Sequence, residues 1–404
     1  MSWLRSFLLL GLLVLPGQVL TGSPWVRHTI DDGSEGADGV KLRDVDGDGR
    51  PEIATAWEEG GVVRVYSSPV GSDPRAPWRA VTVGHVRSPE DAVLVDLDGD
   101  GAADVVSSCE GEERSVFVHW APRDRRRTWD ASAWRTEPIP VTVGVQRWMF
   151  AEPMQVDGRN GIDLVAGGKE RGGALGWLEA PARPRDMQAW RWHPLRRVGW
   201  LMSIRLVDMD GDGDLDILFS DRFGPRSGVY WLENPGPEAV RRDAPWPEHA
   251  VGALGREVMF IDYADFDGDG LPDVVAAVKP REVRLYRRLG RDGTGWSPRV
   301  LFLPPATGTA KSVRVADLDR DLHPDLVWSS EQSWQAHGVV WFPLPRPGEG
   351  AHVPLLHDVS GPAGVKYDLI ELADLDGDGD LDVLTTEEVA GLGVVWYENP
   401  AVTK

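Results

Sequence analysis

The apolar positions of this chain fall in short runs that return with the same neighbours. Runs such as Ala92-Val93-Leu94-Val95 and Ile204-Arg205-Leu206-Val207 lead into an acidic, glycine-containing stretch. Runs rich in β-formers, such as Val105-Val106 and Ile217-Leu218-Phe219, lead out of it, which predicts two strands joined by a polar loop. A third strand ends in an aromatic turn: Trp177-Leu178-Glu179, Trp231-Leu232-Glu233-Asn234-Pro235, Trp341-Phe342-Pro343 and Trp396-Tyr397-Glu398-Asn399-Pro400. A fourth opens at Trp25, Trp78, Trp134, Trp190, Trp246 and Trp296, with a weaker version near His352. The acidic stretch follows D-x-D-G-D-G-x-x-D and occurs seven times, starting at Asp44, Asp96, Gln155, Asp208, Asp265, Asp317 and Asp374. Four strands in each repeat of about 55 residues is the arithmetic of an all-β, seven-bladed β-propeller with four-stranded blades. The chain enters on a fourth strand and leaves after a third, so the N-terminal strand is expected to complete the last blade and remove the open edge. A linear β-solenoid fits less well, because it needs capping repeats and gives no reason for complementary ends.

Composition agrees with this reading. The 404 residues include 46 Gly and 31 Pro, a density of turn formers that argues for many short elements and against a helical bundle. With 42% hydrophobic residues the chain is not compositionally disordered. The single cysteine, Cys109, cannot form an intramolecular disulfide, which directs attention to metal ions as stabilisers. The formal charge of −21 repels phosphate backbones and anionic lipid, so nucleic acid is not an expected partner. Residues 1–22 carry Arg5, the apolar run Phe7 to Leu15 and small residues at Thr21 and Gly22, as a cleaved signal peptide does. The expected mature protein is then residues 23–404, secreted or periplasmic, monomeric and without a membrane span. Asn160, Asn234 and Asn399 all miss the N-glycosylation pattern.

The aspartate loops carry the clearest chemistry. Carboxylates at loop positions 1, 3, 5 and 9, with a carbonyl near 7, can wrap one hard cation such as Ca²⁺, and glycines at 4 and 6 permit the tight turns. The candidate ligands are Asp44, Asp46, Asp48 and Glu52; Asp96, Asp98, Asp100 and Asp104; Asp208, Asp210, Asp212 and Asp216. The set continues with Asp265, Asp267, Asp269 and Asp273; Asp317, Asp319, Asp321 and Asp325; and Asp374, Asp376, Asp378 and Asp382. The sixth loop has Arg320 and Leu322 in place of both glycines, which weakens the case for binding there. The third keeps only Asp157 and Asp163 and is expected to be empty. Five or six structural Ca²⁺ ions are therefore expected, and six would cancel more than half of the formal charge. These repeats resemble the FG-GAP or VCBS family, the repeat of integrin α-chain propellers and many bacterial extracellular proteins. Their W-x-x-H-x-I and W-x-E-N-P elements are most similar to a microbial branch that includes the propeller of aldos-2-ulose dehydratase. In that family the loop ions are structural.

If strand 1 descends to the aspartate loop, the 2–3 loops and the 4–1 crossovers share the opposite face, where ligands should meet the protein. Six residues past each loop's last acid stand Glu58, Glu110, Lys169, Arg222, Lys279, Glu331 and Glu388. Six residues before each loop stand Asp38, Glu90, Met149, Met202, Met259, Lys311 and Asp368. Both series put acids, with Glu387 beside them, in blades 7, 1 and 2, and bases or Met in blades 3 to 5. This predicts a polarised pocket at the channel mouth, with inter-blade salt bridging as the plainer alternative. A third series, Lys41, Val93, Glu152, Arg205, Asp262, Arg314 and Glu371, nearly alternates in sign and reads as structural ion pairing. Trp57, Trp148, Trp200, Trp328 and Trp334 fall out of repeat phase near the same face, where flat aromatics stack on sugars. His85, His337 and His357 fall in its loops, whereas His28, His193 and His249 share one repeat position and read as structural. The expectation is a recognition module for carbohydrate or an extracellular protein. The alternative is a sugar lyase or dehydratase using a metal among the mouth acids; no G-x-S-x-G elbow or H-E-x-x-H pair is present.

Overall fold

Wedge-shaped sheets can surround a channel only if the last one binds the first, and here the two ends of the chain share one sheet. The computed structural model describes residues 20–45, 47–69, 73–170, 172–346 and 355–400. Among these, seven sheets follow one another with strands in simple antiparallel order. Their first strands are Ala37–Arg43, Pro89–Val95, Arg147–Met154, Leu201–Val207, Val258–Ala264, Thr309–Ala316 and Tyr367–Ala373, defining blades 1 to 7. Blade 7 takes its fourth strand, Val26–Asp31, from the start of the chain; it runs antiparallel to Gly393–Glu398, with His28 opposite Trp396. The expected closure is present.

Two details depart from the simple count. The fourth strand of blade 6 is Leu356–Asp358, a few residues later than the expected position near His352, which lies outside the described residues. Leu20–Thr21 pairs in parallel with Leu356 and His357, adding a fifth strand to that blade. Most of the expected signal peptide, residues 1–19, also lies outside the described residues, as does Asp46 of the first loop.

Neighbouring blades bury apolar layers between them. Trp57, Tyr66, Leu384 and Trp396 fill the joint between blades 7 and 1, and Val106, Trp120, Trp148 and Leu164 that between 2 and 3. Blades 3, 4, 6 and 7 are also braced at their outer edges by a pattern visible in the chain. A strand-3 tryptophan stacks on the strand-4 histidine opposite it: Trp177 on His193, Trp231 on His249, Trp341 on His357 and Trp396 on His28, at centroid distances of 4.4, 4.2, 4.1 and 4.4 Å. Two residues past the tryptophan, Glu179, Glu233 and Glu398 bond the Nε2 of His193, His249 and His28 at 2.9, 2.8 and 2.8 Å. His357 therefore belongs to the structural histidines and not to a mouth loop.

The third series lines the channel as ion pairs. Lys41 reaches past Val93 to Glu152 at 2.5 Å, Arg314 holds Glu371 at 2.8 Å and Asp262 at 3.6 Å, and Arg205 lies 3.7 Å from Asp262. Lys41 bridges blades 1 and 3 because the intervening position is apolar. Replacing Trp396, which is fully buried at the closing joint, with Ala is expected to cost about 3–5 kcal/mol in denaturant unfolding. The same change at Trp334, which is 71% exposed, should leave the midpoint unmoved.

Candidate functional site

In every blade the top of the first strand contains a register irregularity, between Asp38 and Val40, Pro89 and Asp91, Trp148 and Phe150, Leu201 and Ser203, Val258 and Ile261, Ala310 and Val313, and Tyr367 and Ile370. In blades 2 to 7 the skipped residue is, or includes, the one six positions before the aspartate loop; in blade 1 it is Gly39, next to Asp38. A regular strand sends successive side chains to opposite faces, whereas a bulge re-aims them. Successive pairs consequently face one cavity: Asp38 with Gly39, Glu90 with Asp91, Met149 with Phe150, and Asp368 with Leu369. Asp91, Phe150 and Phe260 were missed by a period-of-two reading for this reason; Lys366, which also lines the cavity, lies just before its strand.

The cavity has a volume of about 160 Å³ and sits at the mouth opposite the aspartate loops. Both sequence series meet there, since Asp38, Glu58, Glu90, Glu110, Met149, Lys169, Met202, Arg222, Lys311, Glu331 and Asp368 all line it. The split by sign is largely consumed by contacts between blades. Lys169 of blade 3 pairs with Glu90 at 3.1 Å and with Glu110, both of blade 2. Lys311 pairs with Asp368 at 2.7 Å, Arg222 with Glu257 at 2.7 Å, Lys279 with Glu331, and Lys366 with Glu388. Ion pairing thus occupies the basic half, while carboxylates remain in surplus across blades 7, 1 and 2.

That surplus is visible in the acidities. Burial, with Asp368 alongside, raises Asp38 well above the ordinary carboxyl range. Burial, with Glu59, Glu110 and Glu388 nearby, pushes Glu58 up to about 7. Burial also raises Asp91 to about 7 against the pull of Lys41. Asp368 goes the other way: although burial opposes it, Lys311 holds it down to about 2.

The aromatic candidates separate cleanly. Trp200 lines the cavity, with the Lys169 ammonium 4.5 Å and the Arg222 guanidinium 4.4 Å from its ring, and its buried Nε1 has no hydrogen-bond partner among the described residues. Trp148 does not reach the mouth. It is fully buried between blades, donates to Thr142 O at 3.1 Å and packs edge-on against Trp192, because its strand position points into the blade interface. Trp57 and Trp328 are likewise fully buried, bonding Tyr66 and Ser330. Glu387 is also withdrawn: its carboxylate accepts from the backbone N–H groups of Val365, Lys366 and Ala390 and organises the loops around it. His337 stands half-buried 2.9 Å from Asp358, and His85 is exposed.

At the opposite face the aspartate loops share one geometry. The position-1 carboxylate accepts from the backbone at positions 4 and 6, as Asp208 does from Gly211 at 2.8 Å and Gly213 at 3.1 Å. The position-9 acid is a backbone clamp: Asp216 accepts from Met209 and Asn234, both at 2.7 Å, and Asp382 from Leu375 and Asn399, both at 2.9 Å. Oxygens of Asp96, Asp98 and Asp104 lie within 4.8 Å of one another, as do those of Asp208, Asp210 and Asp216, a spacing that suits a hard oxygen-loving cation. In the sixth loop Arg320 and Leu322 adopt the left-handed conformation, with φ of 62° and 69°, so the turn survives without glycine and Asp317 still accepts from Leu322 at 3.0 Å. In the third loop Gln155 supplies what a cation would: its Nε2 donates to Arg159 O at 3.0 Å and to Gly161 O at 2.5 Å.

The FG-GAP-like repeat family matches residues 44–107 and 265–328, each match spanning two successive aspartate loops. No curated protein matches the chain. Among solved structures, the chain aligns with one from the crystal structure of BBS1N in complex with ARL6DN, soaked with mercury. The TM-score is 0.50 at 9% identity, over 94% of this chain and 98% of that one, a likeness of fold alone.

Gln155→Ala should lower stability by about 1 kcal/mol. The loss should be equal in calcium and in chelator, because the amide replaces an ion and does not bind one. A calcium-dependent difference in its unfolding midpoint would contradict that assignment.

Proposed function

Because the chain is a seven-bladed propeller of FG-GAP-like repeats, we propose that it is an extracytoplasmic, calcium-stabilised recognition module that takes a small polar ligand, carbohydrate in class, at the channel mouth. One observation carries the reading: the mouth closes into a recess lined by buried charges and Trp200, at the face opposite the aspartate loops. Its volume of about 160 Å³ equals that of about five liquid waters at ~30 Å³ each, which sets the ligand's buried part as small. Fixed carboxylates and lysines suit hydroxyl groups, and Trp200 adds aromatic surface to the recess with the Lys169 and Arg222 cations over its ring. The support for export is the apolar run after Arg5. Among the described residues no helix is long and apolar enough to cross a membrane. The support for calcium is the clustering of loop carboxylates without matching bases in the fourth loop, where folding gathers like charges that an ion would neutralise.

A second reading, a lyase or dehydratase acting on a ketosugar or uronide, draws on Glu58. A carboxyl held at about 7 exchanges protons in either direction at neutral pH. Turnover lost in Glu58→Gln with folding intact would move the function there.

Two outcomes are expected. Dialysis against chelator should lower the melting temperature by about 10 °C or more, since ions that bind only the folded loops add their binding free energy to folding. An unchanged melting curve refutes calcium stabilisation. In a calorimetric screen of monosaccharides and uronic acids, Trp200→Ala should weaken binding about tenfold or more while the protein stays folded at the assay temperature. Wild-type protein that binds no member of the set, or a variant that binds equally well, defeats the carbohydrate reading.

A further inference from the structure

The charge balance of the mouth leaves three acids over. Each lysine and arginine lining it is committed to a carboxylate, as described above. Among the described residues no cation forms an ion pair with Asp38 or Glu58. Asp91 has only Lys41, 3.8 Å away and itself bonded to Glu152 at 2.5 Å. Asp38 and Glu58 nevertheless gather with other acids. One oxygen each from Asp38, Glu58 and Glu90 lie within 4.8 Å of one another, and so do oxygens of Asp38, Asp368 and Glu388. Two oxygens at about 2.4 Å from one calcium ion can stand at most about 4.8 Å apart, so either trio fits within one coordination sphere.

Asp91 is an independent sign. It is 2% exposed, lines the same cavity, and neither carboxylate oxygen has a hydrogen-bond donor. It lies over Gly39, whose backbone is left-handed at φ 63° and where a Cβ would stand 3.0 Å from Asp91 Oδ1. A glycine at that point leaves space for the carboxylate against the cavity wall. Burying a carboxylate without a donor is costly, and a proton or a cation is what relieves it. Of the two trios, Asp368 and Glu388 are already held by Lys311 and Lys366. Asp38, Glu58 and Glu90 have one lysine among them, Lys169 on Glu90.

We propose that the channel mouth binds a hard divalent cation of the calcium type through Asp38, Glu58 and Glu90, with Asp91 completing its anionic wall, separate from the aspartate loops at the other end of the channel. An all-oxygen donor set suits calcium, magnesium or manganese and disfavours softer metals. Coordination positions not filled by protein face the cavity, where water or the hydroxyl oxygens of a ligand can take them. The site does not depend on the mouth recognising a sugar.

The test counts ions on the full chain by equilibrium dialysis with radioactive calcium, for wild type, the D38N/E58Q double variant and the loop variant D208N/D210N. Each double variant should lose one ion. Chelated D38N/E58Q should melt no lower than chelated wild type, since the change removes like charges that repel. If D38N/E58Q retains the full wild-type count, the proposal is overturned. The loop variant reports on loop calcium separately, so failure of one assignment is distinguishable from failure of the other. Should D38N/E58Q not fold, Asp91→Asn is read instead: a tenfold loss of affinity confined to one site supports the proposal, and an unchanged isotherm overturns it.

Discussion

Ring closure is the constraint from which the rest of this structure follows. Val26–Asp31 pairing with Gly393–Glu398 joins residues nearly the whole chain apart, and without it blades 1 and 7 would each present an unpaired flank. Closure fixes the number of blades around the channel, and with it which inner strands face one another. Lys41 meets Glu152 two blades away, and Arg314 lies between Asp262 and Glu371, only because the circumference is set. An open array of the same repeats would keep the Trp–His–Glu braces of blades 3 and 4 but would not bring these groups together.

A channel lined with charges has an energetic cost, and the two faces meet it differently. Within the channel, alternating signs pair acids and bases across blades, so desolvation is offset by short hydrogen-bonded contacts. At the aspartate loops the position-1 and position-9 carboxylates are bound by backbone N–H groups, which hold the turns in shape and leave the facing oxygens gathered. The third loop shows what happens when a side chain takes over: Gln155 donates to the loop carbonyls and the turn keeps its form with only two acids. At the mouth pairing is incomplete, and the excess there is all of one sign.

The bulge at the top of each first strand converts a repeat into a site. It occurs in all seven blades, so it belongs to the architecture, while the residues placed on it differ from blade to blade: acids in 7, 1 and 2, methionines in 3, 4 and 5, and a lysine in 6. The scaffold's symmetry therefore carries an asymmetric cavity.

Period and phase alone determined the blade number, the strand count, the closing strand and the two series that meet at the mouth, because a repeat writes the same local geometry seven times and residues equivalent in phase are equivalent in height. Phase could not show which aromatic rings reach the cavity. Trp148 and Trp200 both lie near the top of blades, yet one is sealed between sheets and the other lines the recess, a difference set by strand register and the neighbouring blade. Nor could it show Asp91 beside Glu90, since strict alternation sends them to opposite faces and only the bulge turns both inward. Which charges cancel was also decided in three dimensions. Coulomb pairing depends on distances across the ring, and those exist only once the first and last strands have met.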